Sequence, residues 1–331
     1  MNILHTQSRL ATAFALVLGG LASGCATDAA GTTPGFDAAP GLDAATESPN
    51  DPGPHALKTV FLVLLENEDA TAVIGSPSAP YLNGTLLPQA ARADAYSNPP
   101  GGHPSEVDYL WLEAGLKLVH SDADPATNHQ STTAHLARQL DDAGISWRSY
   151  QEDITGTVCP LHSSGLYAAK HNAFVFFDDE TGGGDPQDAG CIAHNRPYAE
   201  LAGDLAGDRT ARYNFITPNL CHDGHNLCAP QHDRVRQADD WLSTEIPALM
   251  ASNAYADGGA LFITWDEAKH GENAIGMVLL SPLGKGGGYH NSIAYDHSSM
   301  LRTLQRIFGV GPYLGGAASA DDLSDLFTTF P

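Results

Sequence analysis

Lys58-Thr59-Val60-Phe61-Leu62-Val63-Leu64-Leu65, followed at once by Glu66-Asn67, is the stretch that decides the fold. From Val60 onward its apolar residues are consecutive. Successive side chains of a strand point to opposite faces, so an unbroken apolar run suits a strand covered on both sides, as in a parallel sheet. Residues 260–265 and 275–280 repeat the pattern, and 213–217 and 173–177 are shorter candidates. Between these runs, residues 133–143, 235–251 and 296–308 repeat apolar positions near the helical period. Such alternation predicts one α/β domain with a mainly parallel sheet, spanning residues 56–331. The glycine stretches 182–184 and 286–288 read as loops, without the spacing of a nucleotide-binding fingerprint.

The whole chain has 331 residues, 42% hydrophobic and 17% charged, which excludes a wholly disordered chain or a coiled coil. Sixteen Lys plus Arg against 39 Asp plus Glu give a formal charge of −23. A surface this acidic repels polyanions, so nucleic acid is excluded as a partner. A small anionic substrate would need a local cation or metal.

The first 25 residues read as a lipoprotein-type signal segment. Arg9 precedes an apolar stretch, residues 10–22, that is too short to cross a bilayer comfortably. Small residues then lead into Cys25, and Leu21-Ala22-Ser23-Gly24-Cys25 resembles a bacterial lipobox with its leucine one position early. The expectation is export with lipidation of Cys25, giving a periplasmic or cell-surface protein anchored to a membrane; plain secretion is the alternative. Residues 26–55 contain no Lys or Arg and carry Pro34, Pro40, Pro49, Pro52 and Pro54. They read as a disordered tether, or alternatively as an arm packed on the domain. The remaining Cys159, Cys191, Cys221 and Cys228 suit disulfides in an exported chain. Pairing nearest neighbours gives Cys159–Cys191 and Cys221–Cys228; zinc binding competes, although no CxxC occurs.

Ligands of open parallel sheets bind beyond the carboxyl ends of the strands. There the apolar runs end in Glu66-Asn67 and in Asp266-Glu267. Converging carboxylates repel unless they share a cation, and oxygen donors suit Ca²⁺, Mg²⁺ or Mn²⁺; helix capping is the plainer role for these residues. Gly101-Gly102-His103-Pro104-Ser105 leads into a helical segment, so Ser105 sits at a helix start. It is there either a cap or a serine oxygen made nucleophilic by the helix field and a cation. The loop from Thr217 to Cys228 presents Asn219, His222, Asp223 and His225, and His171 lies in Lys170-His171-Asn172. A fixed histidine can neutralise phosphate or donate a proton to a leaving alkoxide. His297 opens a helix and has packing against the core as its plainer role, while His120, His129, His135 and His270 read as surface residues.

Taken in order, Leu64-Leu65-Glu66-Asn67, His103-Pro104-Ser105 with Tyr109, Lys170-His171-Asn172, Thr217-Pro218-Asn219-Leu220-Cys221, Trp265-Asp266-Glu267 and Tyr295-Asp296-His297-Ser298 form a pattern. It resembles the phosphoesterase family that contains bacterial and fungal acid phosphatases and phosphatidylcholine-type phospholipases C. The resemblance implies an alkaline-phosphatase-like fold, a three-layer sandwich around a mainly parallel sheet. It implies Glu66, Asn67, Asp266 and Glu267 as ligands of a divalent metal ion, and Ser105 as nucleophile with its oxygen also on that ion. It further implies His103, His171 and His225 as phosphate-contacting or proton-donating groups. Asn219, His222 and Asp108 are candidates for binding substrate. Asp108 stands where the family pattern carries an asparagine, and a carboxylate cannot donate to a phosphate oxygen unless protonated.

The implied activity is metal-dependent hydrolysis of phosphate monoesters through a phosphoserine, as an acid phosphatase or phosphoinositide phosphatase. Its rivals are a phospholipase C-type phosphodiesterase and a non-catalytic surface lipoprotein that binds a metal or anion. No Gly-x-Ser-x-Gly elbow or His-Glu-x-x-His motif points elsewhere.

Overall fold

The computed structural model describes residues 56–331. The signal segment, Cys25 and the tether lie outside the described residues. Eight strands form one sheet: β1 (Thr59–Leu65), β2 (Ala91–Ala93), β3 (Trp147–Gln151), β4 (Asn195–Pro197), β5 (Tyr213–Thr217), β6 (Gly259–Trp265), β7 (Met277–Leu280) and β8 (Tyr289–Asn291). Their spatial order is β4-β3-β5-β1-β6-β7-β2-β8. β1 pairs in parallel with β5 and β6, and β3 with β4 and β5. Only β7 runs the other way, antiparallel to β6 and β2.

Val60 to Leu65 are all buried, as is every residue of β5, β6 and β7. Because neighbours along a strand face opposite sides, both faces of the sheet are covered, and the domain has three layers. Four helices matter for the site: α1 (Ser105–Ala114), α2 (Leu136–Asp142), α3 (Arg234–Met250) and α4 (His297–Phe308). α1 packs against α2 and α4. α4 starts on a capping box in which Asp296 accepts from the Ser298 and Ser299 N–H groups. No helix of the described residues is long and apolar enough to cross a membrane.

The register positions the chemistry. Leu65 lies beside Trp265, and Asp266 N–H donates to Leu65 O at 2.9 Å, so Glu66 and Asp266 leave the sheet side by side. β5 flanks β1 on the other side and ends in the loop that reaches Asp223. The carbonyl of Asp223 accepts from Glu66 N–H at 2.8 Å. Both expected disulfides are present, Cys159–Cys191 and Cys221–Cys228, and the second closes this loop.

Two expectations fail. Residues 173–177 are not a strand: Ala173–Phe176 is a single buried helical turn. Short apolar runs do not by themselves separate strand from helix, and here Gln130 clasps the segment, donating to Phe176 O and accepting from Asp178 N–H. His135 is not a surface residue. It is fully buried, stacks on Phe177 with centroids 4.0 Å apart, and places Nε2 3.0 Å from Asp179.

Candidate active site

α1 begins at Ser105, and the preceding Pro104 makes no side-chain cap bond. The serine hydroxyl is not spent on capping. It lies 3.1 Å from Glu66 Oε2 and 3.3 Å from Glu267 Oε1, almost wholly buried. Asn67 follows Glu66 in a left-handed conformation with φ 53°, tolerable for asparagine. That turn aims its N–H at Asp266 Oδ1, 2.9 Å away, and its amide at Glu66 Oε2. Neither acidic pair starts a helix, so capping does not explain them.

The site therefore joins the ends of β1 and β6 to the N-terminus of α1. Glu66, Asn67, Ser105, Asp266 and Glu267 meet there as the sequence predicts. Glu66 Oε1 and Asp266 Oδ2 are buried without a hydrogen-bond donor, and Glu267 Oε2 meets only the His103 ring. Burial, reinforced by Asp266 and Asp223, pushes Glu66 well above the usual carboxylate range. Burial likewise lifts Asp266 to about 6, and burial plus Asp266 lifts Glu267 to about 8. Orphaned, mutually repelling oxygens, with a hydroxyl and an amide beside them, are the donor set of a hard divalent cation, so these residues fit a metal ion.

Histidines surround this set. His103 is half-exposed; its Nδ1 meets Glu267 Oε2 and its Nε2 faces Gly271 O at 2.8 Å. His171 is buried, with Nε2 3.2 Å from Glu66 Oε1 and Nδ1 3.3 Å from Asp223 Oδ2. Burial, then Lys170 and His225, holds it well below the usual imidazole range. Tyr109 stacks nearly parallel on its ring at 5.1 Å. The His225 ring centroid is 5.5 Å from that of His171, and its Nδ1 lies 2.9 Å from Asn226 Oδ1.

Asp108 is fully buried on α1, three residues past the serine, and neither carboxylate oxygen has a hydrogen bond. Burial and the charges of Asp266 and Glu267 push it well above the usual range. It packs on the backbone of Gly102, where a Cβ would lie 2.3 Å from its Oδ1. His297 Nε2 is 3.8 Å from it and 2.5 Å from Asp266 O, behind the cluster.

Asn219 and His222 are not turned to Ser105. Asn219 donates to Asp153 at 2.9 Å, and His222 Nδ1 pairs with Glu152 at 2.8 Å, an interaction that raises this histidine. Sequence reasoning did not single out the role of Asp223. It is fully buried, its Oδ1 accepts from His225 N–H at 2.7 Å, and its carbonyl holds Glu66. The signal was its place in His222-Asp223-Gly224-His225, between bonded cysteines.

A model of the Phosphoesterase family matches residues 93–311, a span that holds Ser105, His171, His225, Asp266 and Glu267. The chain is 29% identical over 269 residues to a phosphatidylinositol-3-phosphatase of Mycobacterium tuberculosis, covering 81% of this chain and 82% of that one. It is 26% identical over 269 residues to an acid phosphatase of Aspergillus niger, covering 76% of this chain but 58% of that longer one. Among solved structures it resembles a Vibrio parahaemolyticus protein of the alkaline phosphatase superfamily, with TM-score 0.53, 12% identity, and 82% and 72% of the two chains covered. That likeness establishes the alkaline-phosphatase-like fold. Since the family match spans two thirds of the chain and the relatives hydrolyse phosphate esters by name, this chain belongs to the Phosphoesterase family and is a phosphoric ester hydrolase.

Proposed function

We propose that the chain is an exported, metal-dependent phosphomonoesterase acting through a phosphoserine at Ser105. The observation that carries this reading is the Ser105 hydroxyl held between Glu66 and Glu267 at a helix N-terminus. Glu66, Asn67, Ser105, Asp266 and Glu267 would hold the cation, which when bound supplies a Lewis acid that stabilises the serine alkoxide and a phosphoryl oxygen.

The chain's own residues supply the rest. The N-terminus of α1 at Ser105 favours the phosphoryl charge through the helix dipole, although Glu106 N–H already donates to Asp122 at 3.2 Å. Ser105 passes its proton to Glu66 Oε2 and attacks phosphorus, forming the Oγ–P bond as the bond to the leaving oxygen breaks. His103 is the suited proton donor to that oxygen. It is half-exposed beside the serine, and both of its ring nitrogens face acceptors. His171, buried and held neutral, is not suited, which narrows the candidates named from sequence. Water, giving a proton back to His103, then attacks the phosphoserine, the Oγ–P bond breaks, and the serine recovers its proton from Glu66.

The similarity to a phosphatidylinositol-3-phosphatase supports phosphoinositide monoesters as substrates. A lipid anchor on Cys25 would keep the domain beside such headgroups. The test is metal depletion and add-back with Mg²⁺, Ca²⁺ and Mn²⁺ on p-nitrophenyl phosphate, bis-p-nitrophenyl phosphate and phosphatidylinositol 3-phosphate. Activity should vanish on depletion, return with one of the ions, and favour both monoesters. Full monoester turnover by the depleted protein would overturn metal dependence, and preference for the diester would overturn the substrate class.

A further inference from the structure

We propose that Lys170 and the Glu106 N–H bind the substrate's phosphate, and that the Asp122 carboxylate bridging them occupies its place. The inference rests on the Ser105 reading above and deepens it, by naming the residues that receive an anion in a chain of formal charge −23.

Asp122 divides its two oxygens between two donors. Oδ1 accepts from Glu106 N–H at 3.2 Å, and Oδ2 meets Lys170 Nζ at 2.7 Å. Glu106 directly follows Ser105 at the start of α1, and Lys170 directly precedes His171, whose Nε2 is 3.2 Å from Glu66 Oε1. Donors from two separate elements thus converge on one carboxylate beside the serine. The Lys170 charge acts on Glu66, Asp223 and Glu267, and the Asp122 charge also acts on Glu267, which places the pair at the acidic cluster. A helix N-terminal N–H and an ammonium are donors suited to an oxyanion, and a phosphoryl group has an oxygen for each with another left for a cation.

The carboxylate can leave without undoing its surroundings. Its side chain is 30% exposed and that of Lys170 22%, and ion pairs this open to water are weak. The loop that carries Asp122 is anchored separately: the Glu106 carboxylate accepts from Ala123 N–H at 2.7 Å and from the Asn128 amide at 2.8 Å. The backbone around Lys170 is fixed by Ala169 N–H on Ser163 Oγ and by His171 N–H on Ala168 O, each at 3.0 Å. Asp122 is therefore not needed to hold either donor in place. Phosphate, with more charge and more oxygens than a carboxylate, displaces it.

Calorimetric titration of inorganic phosphate into the full-length, Mg²⁺-loaded protein tests this, with circular dichroism checking the fold of each variant. Lys170→Gln should bind phosphate about tenfold more weakly than wild type, and Lys170→Arg should recover most of that loss. Asp122→Asn should bind it roughly fivefold more tightly and lower KM for p-nitrophenyl phosphate in step, because the competing carboxylate is gone. A merely structural ion pair would instead weaken binding in both variants. Wild-type affinity in Lys170→Gln, or binding no tighter than wild type in a folded Asp122→Asn, would overturn the site. Should Asp122→Asn unfold, Lys170→Gln and Lys170→Arg decide it between them. Turnover retained by Ser105→Ala together with the expected binding pattern would defeat the nucleophile and leave this phosphate site standing.

Discussion

The hydroxyl of Ser105 lies 3.1 Å from Oε2 of Glu66, although 39 residues separate them in the chain. The contact links the first residue of α1 to the first residue beyond β1, and it is what a buried, fully covered central strand makes possible. The strand fixes where Glu66 emerges. The parallel neighbour β6 brings Asp266 to the same level, and α1 delivers the serine above them.

Ser105→Ala removes the proposed nucleophile without removing a helix cap, because the N-cap position is Pro104 and the serine hydroxyl is directed to Glu66 and Glu267. Phosphate release should fall on the order of a thousandfold or more, as for other enzymes stripped of a covalent nucleophile. The circular dichroism spectrum and melting temperature should stay close to wild type. Steady-state assay beside a thermal melt checks both halves.

Asp108→Asn restores a hydrogen-bond donor where the chain has a buried, unpartnered carboxyl group. It should lower KM for a phosphate monoester by roughly fivefold, the equivalent of about 1 kcal/mol for one added hydrogen bond. A higher KM would show that the carboxyl group itself serves the site.

Glu113 sits near the other end of α1, fully buried, with one oxygen unpartnered and Tyr213 on the other. Burial pushes it up to about 8. The folded state thus keeps a proton that the unfolded chain gives up near pH 4.5. Stability is complete below that range and declines as the pH rises toward 8, by up to about 1.4 kcal/mol per pH unit. Glu113→Gln should flatten this decline, as read from urea melts at pH 5, 7 and 9.

Cys221→Ser with Cys228→Ser opens the loop that carries Asp223 and His225. Closing so short a loop contributes about 2.5 kcal/mol in the chain-entropy model. The variant should lose stability of that order and lose activity by roughly tenfold as Asp223 loosens from Glu66. Denaturant melts and kcat on the same preparation separate the two effects.

Much of this was legible in the chain. β1 and β6 announce themselves by near-continuous apolar runs and β5 by a shorter one, and the polar residues just after β1 and β6 are the ones that converge. The short strands β2, β4 and β8 did not stand out, since three residues carry too little pattern. The reversed direction of β7 was also hidden, because periodicity carries no direction. His135 and Asp223 show the other limit. Each is polar in sequence and fully buried in the fold, satisfied or constrained by partners, Asp179 and Glu66, that only tertiary structure brings near.

Acid quenching during turnover of a phosphate monoester, followed by peptide mass spectrometry, tests the central claim most directly. A phosphoryl group should appear on Ser105 within one turnover and be absent from every other residue. Sustained phosphate release with Ser105 unmodified throughout would contradict the phosphoserine route.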